Sequence, residues 1–101
     1  MAMVRELPVD ERPRERLLAL GPGFLSNAEL LAIVLRNGSK ERSALQLAQD
    51  ILSLYKDDGV SALGRMTAGE LMCLQGIGSA KAAEVMAAVE LGKRLNAHIA
   101  R

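Results

Sequence analysis

A chain of 101 residues is long enough to bury one hydrophobic core, and its composition limits how that core can be built. Half of the residues are hydrophobic but only 2% are aromatic, so Leu, Ala, Ile, Val and Met must fill the interior, which favours a helical bundle over a sheet. The formal net charge of +1 excludes a strongly basic protein, so any binding of a polyanion must come from a local group of cations.

The sequence predicts neither export nor membrane insertion nor an intramolecular disulfide. No apolar run reaches the ~18 residues that a transmembrane helix requires, and the mixed-charge stretch 1–16 lacks the apolar segment of a secretory signal. The single cysteine, Cys73, cannot form an intramolecular disulfide, and its apolar surroundings predict a buried thiol. We therefore expect a cytoplasmic protein with no membrane partner.

The first half of the chain carries three helix signals after an extended arm, 1–11. Pro13 suits the first turn of a helix that stops at Gly21-Pro22. A capping box, Ser26-Asn27-Ala28-Glu29, starts a second helix that is apolar on most sides and is expected to be central. After a break at Asn37-Gly38, Ser43 and its Gln46 partner start a third helix, 44–55.

The second half predicts one short and one long helix after at most a helical turn near 60–66. Thr67 and Glu70 form another capping box, and Ser79 is expected to cap a last helix that runs to about Leu95. We therefore predict an all-α bundle of four main helices plus a short one, with domain 12–96, arm 1–11 and flexible tail 97–101. Methionines are expected to fill gaps in the core: Met66, Met72 and Met86.

A faint internal repeat suggests that the bundle contains two helical hairpins. The segments 29–33 and 70–74 have the same apolar pattern behind the same kind of cap. Each is followed by a glycine-containing turn, a Ser-Ala pair and a second amphipathic helix. This pattern predicts two hairpins related by a pseudo-two-fold axis, although the two turns differ in length.

The turn Gly76-Ile77-Gly78-Ser79 combines features of an anion site. We expect both glycines to supply positive φ angles and, without Cβ atoms, to let a bulky anion approach the backbone. The first N–H groups of the following helix lack intrahelical partners, and the helix dipole favours negative charge there. Lys81 adds a positive charge in the first turn, so a nucleic-acid phosphate is the expected ligand.

Plainer interpretations stay open for the same residues. The two glycines could serve only a tight interhelical turn, and Lys81 could be an ordinary surface lysine. A second group of cations, in the segment 36–42 with a net charge of +2, is a candidate for a second phosphate contact or a solvated loop. Its members are Arg36, Lys40 and Arg42.

The sequence resembles known proteins at two levels, in one short motif and over most of the chain. The pattern LxGIGxAKA is similar to the helix-hairpin-helix motif of DNA-repair proteins. The wider chain resembles the N-terminal domain of the RadC family, also designated UPF0758, over nearly all of residues 5–95. That resemblance rests on LPVDERPRERLLALGPGFLSNAELLAIVLRNG, then ALQLAQDIL, then LQGIGSAKAAEV.

The resemblance implies DNA binding through the hairpin but no enzyme in this chain. The phosphate-contacting positions of the motif correspond to Gly76, Ile77, Gly78 and Lys81, with Ser79 at the start of the helix. Longer family members are expected to add a JAB/MPN metalloprotease-like domain with a His-x-His and an Asp as zinc ligands, whereas His98 is the only histidine here. We therefore expect no catalytic residue, metal or cofactor in this chain.

Two functions from different classes follow from these patterns. The first is weak, sequence-independent binding to the backbone of double-stranded or branched DNA, as the module of a RadC-like repair protein. The second is a protein-interaction or dimerisation module that keeps the hairpin shape without a nucleic-acid ligand. The near-neutral charge, the scarcity of aromatic residues and the alanine-rich last helix favour the second function.

Overall fold

The computed structural model describes residues 12–56 and 59–100, so the predicted arm, 1–11, lies outside the described residues. Within them the chain forms helices and turns without a strand, which confirms the all-α prediction. None of these helices is both long and apolar enough to cross a bilayer. The α-helices are α1 (Arg12–Leu20), α2 (Asn27–Leu35), α3 (Ala44–Leu52), α4 (Ala68–Met72) and α5 (Ser79–Ile99). Short 3₁₀ helices lie between them at Pro22–Phe24 and Gly59–Gly64.

Side-chain caps fix the starts of α2, α3 and α4 at the positions predicted from the sequence. In each capping box the hydroxyl of the cap residue accepts a hydrogen bond from the backbone N–H three residues on. The side chain of that later residue accepts one from the backbone N–H of the cap residue in return. The three pairs are Ser26 with Glu29, Ser43 with Gln46, and Thr67 with Glu70.

Both ends of α5 differ from the prediction. Gly78, not Ser79, is the N-cap residue, and Ser79 is the first helical residue, so the helix begins without a side-chain cap. The predicted end near Leu95 is also wrong, because α5 continues to Ile99. No glycine or proline interrupts residues 93–99, so nothing in the local sequence stops the helix there. Residues 97–99 of the predicted tail are therefore helical.

The core lies where α2, α3 and α5 meet, and α4 and the Gly59–Gly64 segment pack at its edge. Each fully buried aliphatic side chain contributes about 1.5–3 kcal/mol relative to an exposed one. The prediction of a central α2 is confirmed, since this helix packs against both α3 and α5. The largest fully buried side chains are Leu35, Leu47, Ile51, Leu71 and Val85.

Three sulfur-containing side chains that were predicted to be buried are exposed instead. Cys73 is exposed, and Met72 and Met86 keep 44% and 41% of their surface. Met72 is the last residue of α4 and Cys73 is its C-cap, so both lie past Leu71, the side chain of this helix that enters the core. Met66 is buried, as predicted.

Two pairs of consecutive helices in contact, α2 with α3 and α4 with α5, make up most of the described bundle, and each pair is called a hairpin below. In the first, α2 and α3 have nine residues each, whereas in the second α4 has five and α5 has 21. The hairpins contact each other through α2 and α5. A two-fold relation between them stays a prediction.

Candidate nucleic-acid interface

The turn between α4 and α5, residues 73–78, buries one apolar side chain and exposes the backbone that follows it. Ile77 is only 4% exposed and belongs to the core. Its N–H donates to the carbonyl oxygen of Leu74 at 3.1 Å, which closes the turn. The next residues, Gly78 and Ser79, are exposed. The buried Ile77 therefore anchors the turn, and the start of α5 faces solvent.

The two glycines of the turn have different roles. Gly76 has φ +92°, and a Cβ atom there would lie 2.9 Å from Cδ2 of Leu47 and 3.2 Å from Oγ of Ser39, so this glycine is required for packing. Gly78 has φ −96° and ψ −170°, an extended conformation open to any residue. The prediction of two positive φ angles is therefore wrong for Gly78. A Cβ atom at Gly78 would meet no atom within 4 Å among the described residues, so space is open above it.

Four consecutive main-chain N–H groups, from Gly78 to Lys81, have no acceptor in the part of the chain that the structure describes. The first backbone bond at this end of α5 runs from the N–H of Ala82 to the carbonyl oxygen of Gly78, at 3.0 Å. Free N–H groups at the start of a 21-residue helix carry the positive end of its dipole. This backbone can donate hydrogen bonds to an anion that approaches from solvent.

The side chain of Lys81 lies beside these N–H groups but already has one partner. Its Nζ atom donates a hydrogen bond to Oδ1 of Asn37 at 2.9 Å, in the loop that joins α2 to α3. An ammonium group has three donors, so two remain for another acceptor. Because Asn37 is neutral, the bond leaves the positive charge of Lys81 uncompensated.

Arg36, at the end of α2, adopts a strained backbone conformation. Its φ is 73° and its ψ is −54°, and the N–H of Asn37 donates to the carbonyl oxygen of Leu35 at 2.9 Å, which defines a γ-turn centred on Arg36. The guanidinium donates to Oε2 of Glu84 from Nη2 at 2.9 Å and from Nε at 3.2 Å. The exposed Arg36 side chain thus links this loop to the second turn of α5.

The remaining two cations of the loop have different surroundings. Arg42 makes a bidentate ion pair with Asp50 of α3, at 2.6 and 2.9 Å, and its own N–H donates to Oγ of Ser39. Lys40 is exposed and pairs with no group among the described residues. Since Ser39 packs against Gly76, Lys40 lies next to the turn before α5. The structure therefore ties Arg42 to α3 and leaves Lys40 exposed beside Ser39, the loop residue that approaches the turn.

Carboxylates pair with two of the four cations around the start of α5, which lowers the net charge of this region. Arg42 is neutralised by Asp50, and Arg36 is paired with Glu84. The cations without a carboxylate partner here are Lys40 and Lys81. We call the surface formed by loop 36–43, turn 73–78 and the first turn of α5 the hairpin face. Its chemistry fits two or three contacts to phosphate oxygens.

A side-chain hydrogen bond links α4 to Tyr55, which follows α3. The hydroxyl of Tyr55 donates to the carboxylate of Glu70, which also accepts from the backbone N–H of Thr67. These two bonds hold the pKa of Glu70 below its usual value, and the bond to Glu70 raises the pKa of Tyr55. The guanidinium of Arg65 lies 5.4 Å from the centre of the Tyr55 ring.

Sequence reasoning missed the partners that organise the hairpin face. Asn37, Glu84 and Asp50 each hold a predicted cation, at sequence separations of 44, 48 and 8 residues. The first two pairings join different hairpins, and no local pattern signals a contact over such a separation. Only Asp50, on the helix that follows Arg42, could have been anticipated from proximity in the sequence.

Comparisons with known proteins match the chain over most of its length. Residues 4–83 match the family model described as UPF0758 N-terminal. A UPF0758 protein from Alkaliphilus metalliredigens is 50% identical over 93 residues, which are 92% of this chain and 40% of that protein. One from Moorella thermoacetica is 55% identical over 94 residues, 93% of this chain and 40% of that protein. No solved structure shows significant similarity to the chain.

A third relative, the UPF0758 protein of Geobacillus thermodenitrificans, is 49% identical over 94 residues and has 41% of its length matched. The chain thus spans about two fifths of the length of these curated relatives. Because the family model alone covers most of the chain, the assignment does not depend on any single relative. The chain belongs to the UPF0758 family and corresponds to the N-terminal domain of its longer members.

Proposed function

We propose that this domain binds the DNA backbone weakly and without sequence preference, as the nucleic-acid-binding module of a RadC-like repair protein. Phosphate oxygens accept hydrogen bonds from the main-chain N–H groups of Gly78, Ser79 and Ala80. Lys81 contacts the same phosphate, and Lys40 contacts a second one. No catalytic role is proposed for this domain.

The observation that carries the proposal is the run of four unpaired, solvent-facing N–H groups from Gly78 to Lys81. Phosphate on a helix N-terminus is favoured by both hydrogen bonding and the dipole, and it needs no base contact. The open space above Gly78 lets a bulky phosphodiester approach closely. Arg36 and Arg42 are already paired with carboxylates, so they contribute less to this proposal than Lys40 does.

Few contacts imply weak and salt-sensitive binding. Two or three neutralised phosphates give a log–log salt slope of about −2 to −3 on duplex DNA. Affinity should lie in the non-specific range, with Kd about 10⁻⁴–10⁻⁶ M at physiological salt. The carboxylate partners of Arg36 and Arg42 agree with that range, because they limit long-range attraction to DNA.

The test is a titration of labelled duplex and single-stranded DNA at low ionic strength, with two matched lysine variants. Lys81→Gln removes the cation next to the free N–H groups and a hydrogen bond to Asn37. Lys93→Gln removes one cation from the same helix and a hydrogen bond of 2.8 Å to the carbonyl oxygen of Gly64, away from the hairpin face. Lys81→Gln should reduce the magnitude of the log–log salt slope by about 1 for every DNA sequence, whereas Lys93→Gln should leave the slope unchanged.

Equal binding by both variants and the parent would contradict the phosphate assignment at Lys81. No binding by the parent at low salt would contradict DNA binding altogether and would favour the alternative, a module that keeps the hairpin shape for protein contacts. Thermal unfolding of both variants serves as the control. Each loses one exposed hydrogen bond, so both should melt within a few degrees of the parent.

A further inference from the structure

An apolar groove lies on the side of the bundle formed by α2, the Gly59–Gly64 segment and α5. Its volume is about 210 Å³, which exceeds the about 150 Å³ of an apolar cavity that binds benzene. The groove opens to solvent, and no charged side chain lines it among the described residues. The main lining residues are Leu30, Val34, Val60, Leu63, Ala88 and Val89.

The second half of α5 projects beyond the bundle and carries an apolar stripe. Every residue from 90 to 100 is exposed, and Glu90 and Lys93 are the residues of this stretch that still line a cavity of their own domain, among the described residues. Leu91, Leu95 and Ile99, spaced four residues apart, are 68%, 60% and 69% exposed. A helical segment of this length is marginal in water without tertiary packing on its apolar face. The stripe is therefore a surface that a partner would stabilise.

The groove and the stripe form one continuous surface along α5. Ala88 lines the groove, and Leu95 and Ile99 follow it by seven and eleven residues, close to two and three full turns of 3.6 residues. These side chains thus lie within roughly 40° of one another around the helix axis. Gly92, which lies between them, lets another helix approach closely.

We propose that a second copy of this chain covers this surface, and that each copy lays its stripe into the groove of the other. A two-fold axis near the middle of α5 would pair the two helices in antiparallel fashion, with the stripe of one copy over Ala88 of the other. A contact of this kind is isologous, so one surface supplies both halves. We call the groove and the stripe together the α5 surface.

A second copy fits this surface better than the domain itself does. The stripe and one wall of the groove belong to the same continuous helix, so the stripe cannot fold back into its own groove. The groove lining carries no charged side chain among the described residues, which matches the depletion of charged residues at interface cores, and Lys93 and Arg94 flank the stripe. Because the contact is made twice, the dimer removes six large apolar side chains and two grooves from contact with water.

A weak dimer requires only a small part of the surface of each copy. The smallest stable interfaces bury about 1,200 Å² in total, or about 600 Å² from each copy. That share is less than a tenth of the 6838 Å² exposed by the described residues of one copy. We therefore expect reversible, concentration-dependent association.

Sedimentation equilibrium of the purified chain over a range of concentrations tests the proposal, with one variant in each half of the α5 surface. Leu95→Glu places a charge on the stripe, and Val60→Glu places one in the groove, at a side chain that is 51% exposed. Leu18→Glu is the matched control, because Leu18 is 79% exposed on α1, outside the α5 surface. Both interface variants should weaken association about tenfold or more, and the control should not.

Each other outcome overturns the proposal. A parent chain that stays monomeric at every concentration would do so. If deletion of residues 1–11 then produced a dimer, the arm would be the occupant of the groove. Association that resists both Leu95→Glu and Val60→Glu would place the contact elsewhere. Circular dichroism shows whether the variants keep the helical content of the parent. Titration of duplex DNA with Leu95→Glu shows whether DNA binding is separate from association, so the failure of one proposal can be distinguished from the failure of the other.

Discussion

The Nζ atom of Lys81 donates a hydrogen bond to Oδ1 of Asn37 at 2.9 Å, and this contact joins the two hairpins of the domain. Three residues further along α5, Glu84 accepts from Arg36 in the same loop. The packing of Gly76 against Ser39 adds a third link. Loop 36–43 and the start of α5 are therefore one connected surface.

Gly76→Ala should destabilise the domain. The new Cβ atom would lie 2.9 Å from Cδ2 of Leu47 and would hold an alanine at φ +92°. Positive φ alone costs roughly 1–2 kcal/mol for a non-glycine residue, so the free energy of unfolding should fall by about 1–3 kcal/mol. Urea unfolding of the variant measures this change. An unchanged midpoint would show that the turn relaxes without cost.

Gly78→Ser should have opposite effects on stability and on DNA binding. At an N-cap residue with extended backbone and open space, a serine hydroxyl can accept the N–H of Ala80 or Lys81 and stabilise α5 by a few tenths of a kcal/mol. The same bond removes a donor from the proposed phosphate site. The melting temperature should rise slightly while affinity for duplex DNA falls. A variant that binds DNA as the parent does would contradict the site.

The sequence predicted the local features of this domain better than the long-range ones. All three capping boxes formed, because each depends on residues three positions apart. Assigning positive φ to Gly78 was wrong, because glycine permits that conformation without requiring it.

The features that escaped prediction depend on tertiary contacts. Asn37-Gly38 looked like the break after α2, yet the positive φ falls on Arg36, whose side chain reaches Glu84 on another helix. The projection of α5 was missed as well, because residues 96–99 carry no feature that separates a helix from a frayed tail. A resemblance to a family supplied the hairpin residues, but not the partners that hold them.

Arg36→Gly should change the stability of the domain little in spite of losing an ion pair. Glycine relieves the cost of φ 73°, about 1–2 kcal/mol, whereas an ion pair with a side chain that is 75% exposed contributes at most about 1 kcal/mol. Glycine also raises the conformational entropy of the unfolded chain, which costs about 0.4–1 kcal/mol, so we expect the free energy of unfolding to change by less than about 1 kcal/mol. Glu84→Gln is the control, because it breaks the ion pair and leaves the backbone unchanged. A loss of stability in Arg36→Gly larger than in Glu84→Gln would contradict the strain at Arg36.

Stability should depend on pH through two carboxylates. The pKa of Glu29 is lowered, first by the backbone N–H of Ser26 and then by Arg16, and that of Glu70 is lowered by Tyr55 and Thr67. A lowered folded pKa stabilises the fold above the unfolded value near 4.5, and this contribution is lost as pH falls through the lower folded pKa.

Melting temperatures recorded across the acid range measure this dependence. Tyr55→Phe should remove the part due to Glu70 and its tyrosine partner, so the acid loss should be shallower than in the parent. The pKa of Tyr55 is raised, so the parent should also lose stability as pH rises above 10 through the higher folded pKa, and Tyr55→Phe should not. Identical acid profiles for both proteins would rule out this contribution of the Tyr55–Glu70 bond.

The most direct test of the proposed phosphate site compares Ser79→Pro with Ser79→Ala in a low-salt titration of duplex DNA. Ser79 is the first residue of α5, where proline is well tolerated, and the extended backbone of Gly78 suits a residue before proline. Proline deletes one free N–H, whereas alanine deletes only the hydroxyl. We predict that Ser79→Pro weakens binding about tenfold, as expected for a hydrogen bond to a charged group worth about 1.5 kcal/mol, and that Ser79→Ala binds nearly as the parent does. Equal binding by two well-folded variants would contradict phosphate recognition by the backbone of α5.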